Sequence, residues 1–265
     1  MVGRTRYRLP LSDSLERKFS ALRSALDVRV VASSADGSRG DDTFSLWRRL
    51  PVLDGAAFYF TLPFRVTREL RRFQPDAVTT QSPYEALAVL AGRGLARSRA
   101  ALIVELHGDW RTFPRLYGSP LRRALAPVTD RVAPWALRRA DAVRTLSEYT
   151  TALAREAGVE PAAAFIAFTD IEPFVDTPPA PLPAEPHALF VGVLEPYKNV
   201  ENLAAAWRLV AERVPAATLR LIGDGHRRDA AERLVADFPD RVSWTRAVPG
   251  EEIARALDAA WFLLL

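Results

Sequence analysis

A lysine beside a glycine turn is the first feature of this chain that could do chemistry. The apolar run 188–191 stops at Gly192, and a short turn carries Lys198 to the start of an amphipathic helix. A helix N-terminus offers unpaired N–H groups and the positive end of the helix dipole, and both favour phosphate. Lys198 is one of only two lysines among 36 basic residues. These residues predict a phosphate site, and an exposed lysine at a helix start is the alternative.

A histidine at a strand end is the second candidate. His107 follows an apolar strand predicted over 101–106 and precedes Gly108, which permits a close approach. Because open parallel sheets bind their ligands at the carboxyl ends of the strands, we expect His107 to face a binding cleft. A histidine that bonds to the backbone at the strand end is the alternative.

The composition excludes several kinds of site. The chain has no cysteine, so it can form neither a disulfide nor a thiolate metal site. Its three histidines are too scattered to predict a zinc site. No apolar run approaches the ~20 residues that a membrane helix needs, and no signal peptide opens the chain. We therefore expect no metal and a cytoplasmic location.

The charge is unevenly distributed along the chain. Residues 1–175 contain 26 Arg and Lys against 19 Asp and Glu, and residues 176–265 contain 10 against 13. A basic first half suits anionic lipids, phosphorylated substrates or nucleic acid, but solvated helix faces explain it equally well. We expect no nucleic-acid partner. A peripheral contact with the inner face of a membrane stays open, because residues 58–72 are first apolar and then basic; a helix packed on the core is the preferred interpretation of that stretch.

Strand and helix signals alternate along almost the whole first part of the chain. A helix is predicted from about Ser14, with Asp13 and Glu16 in capping-box spacing, and another runs from Ser147 as N-cap to Gly158. A third helix is predicted over 84–92, with strands over 28–32, 75–80, 101–106, 142–146 and 165–168. Residues 1–3 resemble the tail of a first strand. This alternation predicts parallel βαβ units.

A proline-rich segment divides the chain. Residues 176–186 contain five prolines, which form neither helix nor central strand and so predict an extended hinge linker. The first domain is therefore predicted over 1–175 and the second over 187–265. The second is predicted to contain helices over 200–214, 227–238 and 251–259, and strands over 188–193, 217–222, 242–244 and 261–265. The last strand is expected to be buried, and we interpret the chain as a fragment because chains normally end in exposed polar segments.

Three segments together resemble the donor-binding domain of family 4 retaining glycosyltransferases, which have the GT-B fold. They are FVGVLEPYKN at 190–199, LAAAW at 203–207 and PAATLRLIGDG at 215–225. Segments at 75–84, 105–108, 140–148 and 171–174 agree, so the resemblance covers nearly the whole chain. It implies an α/β fold with two Rossmann-like domains, the second incomplete. It also implies transfer of a sugar from a nucleotide-sugar donor, with retention and without a required metal, to a sugar, lipid-linked or small-molecule acceptor.

The resemblance assigns roles to the candidate residues. Lys198 would bind the donor diphosphate, where a fixed cation stabilises the departing nucleoside diphosphate. His107 would contact the donor sugar and the reacting centre. Gly192 and the turn Gly223-Asp224-Gly225 would lie against the nucleotide, although Gly-Asp-Gly is equally common in plain turns.

Two departures from the family pattern limit this assignment. The family usually has an arginine directly after the glycine turn, where this chain has Val193. Either another arginine reaches the diphosphate, or the activity is weak, altered or absent. The family's pair of glutamates, separated by seven residues, is expected beyond Leu265, so we expect residues 1–265 alone to be inactive.

Two other functions stay open at this point. A sugar-nucleotide 2-epimerase would share the architecture, but it needs further acid and base groups beside His107, the one histidine that we place in the cleft. A degenerate member that acts only as a binding module is favoured by Val193 and by the missing glutamates.

Overall fold

The computed structural model describes residues 1–47, 54–112, 126–169, 171–175, 178 and 181–265. The chain divides into two compact units, Met1–Phe168 and Thr169–Leu265. Each unit is built on a sheet whose neighbouring strands all pair in parallel. The prediction of parallel βαβ units is confirmed.

The first unit has a sheet of seven strands in the order β3-β2-β1-β4-β5-β6-β7. The strands are β1 Val2–Tyr7, β2 Val30–Ser34, β3 Phe44–Trp47, β4 Ala77–Thr80, β5 Ala101–Leu106, β6 Ala142–Thr145 and β7 Ala163–Ala164. The described helices are α1 Asp13–Ala25, α2 Asp54–Phe73, α3 Pro83–Ala96, α4 Ala126–Arg138 and α5 Glu148–Glu156. None of the helices in the described part of the chain is both long and apolar enough to cross a membrane.

Apolar side chains cover both faces of this sheet, as a parallel sheet requires. On one face, helices α2 to α5 pack on the strands, with Phe58 and Leu62 of α2 fully buried near Leu102 and Val104 of β5. On the other face, Phe19 of α1 packs against Tyr7 and Phe44. The basic stretch 58–72 is thus part of a core-packed helix, which confirms the preferred interpretation.

The second unit has a sheet of four strands in the order β10-β9-β8-β11. The strands are β8 His187–Val191, β9 Thr218–Ile222, β10 Val242–Thr245 and β11 Phe262–Leu264. The helices are α6 Glu172–Val175, α7 Val200–Arg213, α8 Arg228–Asp237 and α9 Gly250–Asp258. Successive residues of β8 point to opposite faces: Phe190 packs with α7 and α8, and Leu189 packs with α9.

The helix α6 belongs to the second unit. A Cβ atom added to Gly250 would lie 2.9 Å from Cγ of Pro173, so α6 packs closely on the start of α9. The boundary between the units therefore precedes α6, whereas the hinge was predicted after it, over 176–186. Residues 176, 177, 179 and 180 of that hinge lie outside the described residues, and the hinge stays a prediction.

Two predictions on the first unit's strands are wrong. The strand predicted over 165–168 is replaced by the two-residue β7, because the carbonyls of Phe165 and Ile166 accept hydrogen bonds from the side chain of Arg144 instead of a neighbouring strand. The first strand does not end at residue 3 but continues to Tyr7, which is buried and pairs with Ser34.

The two predicted helix N-termini differ in outcome. The capping box of Asp13 and Glu16 is wrong: α1 begins at Asp13, no side chain caps it, and Glu16 pairs instead with Arg23. The N-cap Ser147 is confirmed, because its Oγ accepts a hydrogen bond from the backbone N–H of Thr150 at 3.3 Å.

The strand predicted over 261–265 forms, but it is not buried. β11 pairs in parallel with β8, with Leu263 opposite Leu189. It is the edge strand of the described sheet, so Phe262 and Leu263 remain 49% and 40% exposed.

Candidate functional site

The turns that follow β8 and β9 lie against each other in the second unit. The two strands pair up to Val191 and Ile222, and the ladder continues into the turns. The backbone N–H of Gly192 donates to the carbonyl of Ile222 at 2.9 Å, and that of Leu194 donates to the carbonyl of Asp224 at 3.0 Å. The predicted residues Gly192 and Asp224 are therefore brought together at the carboxyl edge of this sheet.

Two glycines of the second turn are required by this close approach. Gly223 has φ +145°, and a Cβ atom there would lie 1.7 Å from the carbonyl oxygen of Gly192. A Cβ atom on Gly225 would lie 2.4 Å from the carbonyl oxygen of Leu194. Since packing between the turns accounts for both glycines, their contact with a nucleotide stays a prediction.

Lys198 lies over the first turn. It ends a short 3₁₀ helix, Pro196–Lys198, and its Cε is 3.9 Å from the point where a Cβ of Gly192 would be. Its ammonium is 5.8 Å from the ring centroid of Tyr197. Within the described residues no carboxylate forms an ion pair with Lys198. The lysine therefore offers a half-buried positive charge beside the glycine turn.

The helix α7 begins next to this lysine. Its N-cap is Asn199, which has a left-handed backbone conformation and makes no side-chain hydrogen bond to the first turn. A helix start without a side-chain cap leaves its N–H groups to solvent or to a ligand. Together with the ammonium of Lys198, this arrangement is suited to a phosphate group.

Sequence reasoning missed a bond that joins the two turns. Nδ1 of His226 lies 2.8 and 3.0 Å from the two carboxylate oxygens of Glu195. The side chain of Glu195 is mostly buried, and its contact with His226 ties the turn after β8 to the turn after β9. Glu195 falls in the singled-out segment 190–199, whereas His226 directly follows the segment 215–225 and was not singled out.

Among the described residues, no contact identifies an arginine that could replace the family's second cation. Val193 is 47% exposed, directly after Gly192. Arg227 follows the second turn, but its Nε is 3.0 Å from a carboxylate oxygen of Glu201. The charge of Arg227 is therefore already paired within the second unit.

His107 lies in the first unit, directly after β5 as predicted. Its Nε2 is 3.4 Å from a carboxylate oxygen of Glu105, and its side chain is 38% exposed. A Cβ atom on Gly108 would meet no described atom within 4 Å. The imidazole is thus accessible, and it is held by a carboxylate rather than by the backbone bond of the alternative interpretation.

Glu105 is held in turn by Arg144. Nη1 of Arg144 donates to Oε1 of Glu105 at 2.8 Å, and Nη2 donates to the carbonyl of Ile166 at 2.9 Å. The guanidinium also lies 3.7 Å from the ring centroid of Phe165. Hydrogen bonds from His107 and then from Arg144 hold the pKa of Glu105 below its ordinary value, although burial acts in the opposite direction. Glu105 is therefore a carboxylate at neutral pH, and it orients the ring of His107.

The residues 13–167, more than half of the chain, match a family model described as a glycosyl transferase 4-like domain. The chain belongs to this family. Residues 185–265 of this glycosyl transferase 4-like protein match a second model, glycosyl transferases group 1. The family predicted from the sequence is confirmed in both halves of the chain.

One curated relative is the 2-deoxystreptamine glucosyltransferase of Streptomyces kanamyceticus. The glycosyl transferase 4-like chain is 30% identical to it over 162 residues, which are 56% of this chain and 42% of that enzyme. The chain thus spans less than half the length of this relative.

Solved structures of low identity share the fold. A sucrose-phosphate synthase from Thermosynechococcus elongatus is 19% identical, with a TM-score of 0.68 over 92% of this chain and 66% of that chain. The Anabaena protein HepE, in complex with UDP and glucose, is 16% identical, with a TM-score of 0.62 over 99% and 72%. A UDP-N-acetylglucosamine 2-epimerase from Rickettsia bellii is 14% identical, with a TM-score of 0.54 over 96% and 70%. These likenesses show the GT-B fold, and they do not separate a transferase from an epimerase.

Proposed function

We propose that the protein transfers a sugar from a nucleotide-sugar donor to an acceptor, with retention of configuration. Membership of the glycosyl transferase 4-like family supports sugar transfer, and the curated glucosyltransferase relative agrees with it. The complex of the similarly folded HepE with UDP and glucose supports a nucleotide-sugar donor.

The position of Lys198 carries this proposal. Its side chain lies over Gly192, where the turns after β8 and β9 meet, and it has no ion pair within the described residues. The first turn of α7 adds N–H groups that no side chain caps. When the sugar leaves, the nucleoside diphosphate gains negative charge, and a cation already in place stabilises it without reorganisation.

In this proposal Lys198 binds the diphosphate of the donor, and His107 acts on the sugar. It contacts the donor sugar and the reacting centre, and Glu105 fixes the orientation of its ring through the 3.4 Å contact. We propose that no metal is needed, because Lys198 and the start of α7 supply the positive charge. No three His, Cys, Asp or Glu side chains of the described residues converge on a point that could hold a metal ion. The acceptor is proposed to be a sugar, a lipid-linked or a small-molecule hydroxyl compound.

The two lysines of the chain provide a matched test. Lys198→Ala in the whole protein is expected to lower turnover by ~10²–10³, the loss typical of one preorganised charge stabiliser. Lys18→Ala on α1 removes the same charge from the first unit and is expected to leave turnover unchanged. The assay measures nucleoside diphosphate release and product from UDP-, GDP- and ADP-sugars, with the anomeric configuration read by NMR. Turnover of the Lys198 variant within about threefold of wild type would show that Lys198 does not hold the diphosphate.

A binding module without catalysis is the second candidate, favoured by the exposed Val193 in place of a cation. Titration calorimetry with UDP, GDP and ADP separates the two: affinity for a nucleotide, abolished by Lys198→Ala, with no turnover of any donor would establish the binding module. An epimerase would instead convert the sugar nucleotide without any acceptor. The same NMR assay detects that product.

A further inference from the structure

We propose that His226 and Glu195 are positioning residues that hold Lys198 over the glycine turn after β8. Nδ1 of His226 lies 2.8 and 3.0 Å from the two carboxylate oxygens of Glu195, and Glu195 precedes Lys198 by three residues. We call this contact the Glu195–His226 pair. Its effect on sugar transfer rests on the proposed function of Lys198, whereas its effect on the position of the lysine does not.

The side chain of Lys198 makes few contacts that fix its position. No carboxylate of the described residues forms an ion pair with it, and its ammonium is 5.8 Å from the ring centroid of the adjacent Tyr197. A lysine side chain has a long and flexible stem. The ammonium is therefore placed over Gly192 by the backbone of the 3₁₀ helix Pro196–Lys198, a single turn with little stability of its own.

Main-chain bonds fix the residue just before this turn. The backbone N–H of Leu194 donates to the carbonyl of Asp224 at 3.0 Å, and the backbone N–H of Arg227 donates to the carbonyl of Leu194 at 2.8 Å. These bonds hold Leu194 within the turn after β9. The Glu195–His226 pair extends the connection to the next residue, whose carbonyl accepts the closing hydrogen bond of the 3₁₀ helix at 2.9 Å.

The burial of Glu195 distinguishes the pair from an ordinary surface contact. The side chain of Glu195 is 17% exposed, whereas that of His226 is 80% exposed. Oε1 of Glu195 also accepts from the backbone N–H of His226 at 3.4 Å. A mostly buried carboxylate that loses its partner has a large desolvation penalty, so it moves towards water. Because Glu195 is the N-cap of the 3₁₀ helix, such a move would shift Lys198 with it.

His226 also keeps the carboxylate of Glu195 away from Lys198. Side chains three residues apart on a helical turn are neighbours, so a Glu195 without its partner is within reach of the ammonium. An ion pair between the two would neutralise the charge that is proposed to bind the donor diphosphate. The Glu195–His226 pair therefore both places the ammonium and leaves it available to phosphate.

NMR of the lysine side chains tests the positioning without any substrate. Reductive methylation with carbon-13 labels Lys18 and Lys198, the two lysines of residues 1–265, and replacing each by Arg assigns its signal. In His226→Ala, the Lys198 signal should move to the shift of a free methylated lysine, while the Lys18 signal stays in place. Arg208→Gln is the matched control, because it removes an exposed ion pair between α7 and α8, and it should change neither signal.

Donor kinetics test the consequence for the proposed function. His226→Ala should lower kcat/KM for the nucleotide-sugar donor roughly tenfold, because the cation is displaced rather than removed. His226→Asn keeps an N–H donor near the position of Nδ1 and should restore most of the activity. In the Lys198→Ala background, His226→Ala should have no further effect, since residues that act through one another are not additive. Arg208→Gln should have the kinetics of the wild type.

Three results overturn the inference. The first is a Lys198 signal that is the same in His226→Ala as in the wild type, and the second is an unchanged kcat/KM of His226→Ala. The third is an equally large loss of activity with and without Lys198, which would mean that His226 contacts the ligand itself. If the Lys198 signal moves as expected but the wild type turns over no nucleotide sugar, the positioning stands and the proposed function fails. Far-UV circular dichroism checks the fold of each variant.

Discussion

The candidate residues of the two units are positioned in different ways. In the second unit, main-chain contacts between two turns position them, and in the first unit contacts between side chains do. In the second unit, Gly192, Gly223 and Gly225 bring two turns into main-chain contact, and Lys198 lies above them. In the first unit, His107 is held by Glu105, which is itself held by Arg144.

The difference predicts two kinds of sensitivity. A turn packed against another turn has no space for one added carbon atom, so its substitutions should act on folding before they act on ligands. A chain of hydrogen-bonded ionisable side chains tolerates changes of shape better, but its strength depends on which groups are ionised. The second unit should therefore respond mainly to steric change, and the first unit to charge and pH.

The largest effect is expected for Gly223→Ala. The new Cβ would overlap the carbonyl oxygen of Gly192, and φ +145° is unfavourable for any residue with a side chain. We expect the second unit to lose about 4 kcal/mol or more of stability, measured by denaturant unfolding. Gly108→Ala in the first unit is the control, because open space surrounds that position, and it should cost less than about 1 kcal/mol. If the two variants were equally stable, close backbone contact between the turns after β8 and β9 would be contradicted.

Next in size is the effect of His107→Ala on turnover. If this side chain faces the donor, turnover should fall by ~10², whereas stability should change by less than about 1 kcal/mol, because the ring is 38% exposed. His187→Ala is the matched control. His187 is the first residue of β8, away from the strand's carboxyl end, and its ring contacts Thr218 of β9, so its loss should leave turnover intact. A large loss of stability in His107→Ala, with unchanged activity per folded molecule, would assign His107 a structural role.

A smaller effect is expected from pH through Glu105. Its pKa is held below 4.5 in the folded protein, first by the bond from His107 and then by Arg144. The ionised carboxylate is thus the stabilised form, so its contribution is complete above pH 4.5 and is lost as the pH falls through the lowered value. Glu105→Gln should lower the free energy of unfolding of the first unit by about 1 kcal/mol at neutral pH, and the difference from wild type should shrink on acidification. A difference that is independent of pH would show that the carboxylate is held by packing alone.

The sequence predicts most of the elements in the two units, but it does not predict the contacts by which the units differ. β5 was predicted with its observed bounds, and the helices and strands from β8 to β11 were predicted within two residues, because apolar runs there alternate with clear breakers. The helix α6 was not predicted. The contact between Glu105 and Arg144 joins residues 39 positions apart and depends on the register of β5 and β6, which no local pattern contains. The strand β3 has only four residues and follows a turn that contains Asp41 and Asp42, so it was too short to predict.

The candidate residues show the same limit. Lys198, Gly192 and the Gly223 turn could be grouped from the sequence because each lies at or just after the end of a predicted strand, and adjacent parallel strands end at one edge. The contact between Glu195 and His226 could not be predicted in this way, because it depends on how far each turn extends past its strand. The family resemblance also names no residue that could replace the arginine absent at Val193.

The smallest effect, and the one that sharpens the comparison most, is expected for Val193→Arg. Val193 is 47% exposed next to Gly192, so a longer side chain meets little steric resistance, in contrast to Gly223. A guanidinium there would add a second cation beside Lys198, and an exposed charge of this kind contributes about 0.5–1 kcal/mol. The affinity for UDP, measured by titration calorimetry, should therefore rise roughly threefold at low ionic strength, and the gain should shrink at high salt. Val214→Arg is the control, because it adds the same charge to the same unit at the end of α7, where the residue is 39% exposed. An equal gain in both variants would mean that only net charge matters. No gain in either would mean that the diphosphate does not lie above Gly192, and the second unit's turns would then be explained by folding alone.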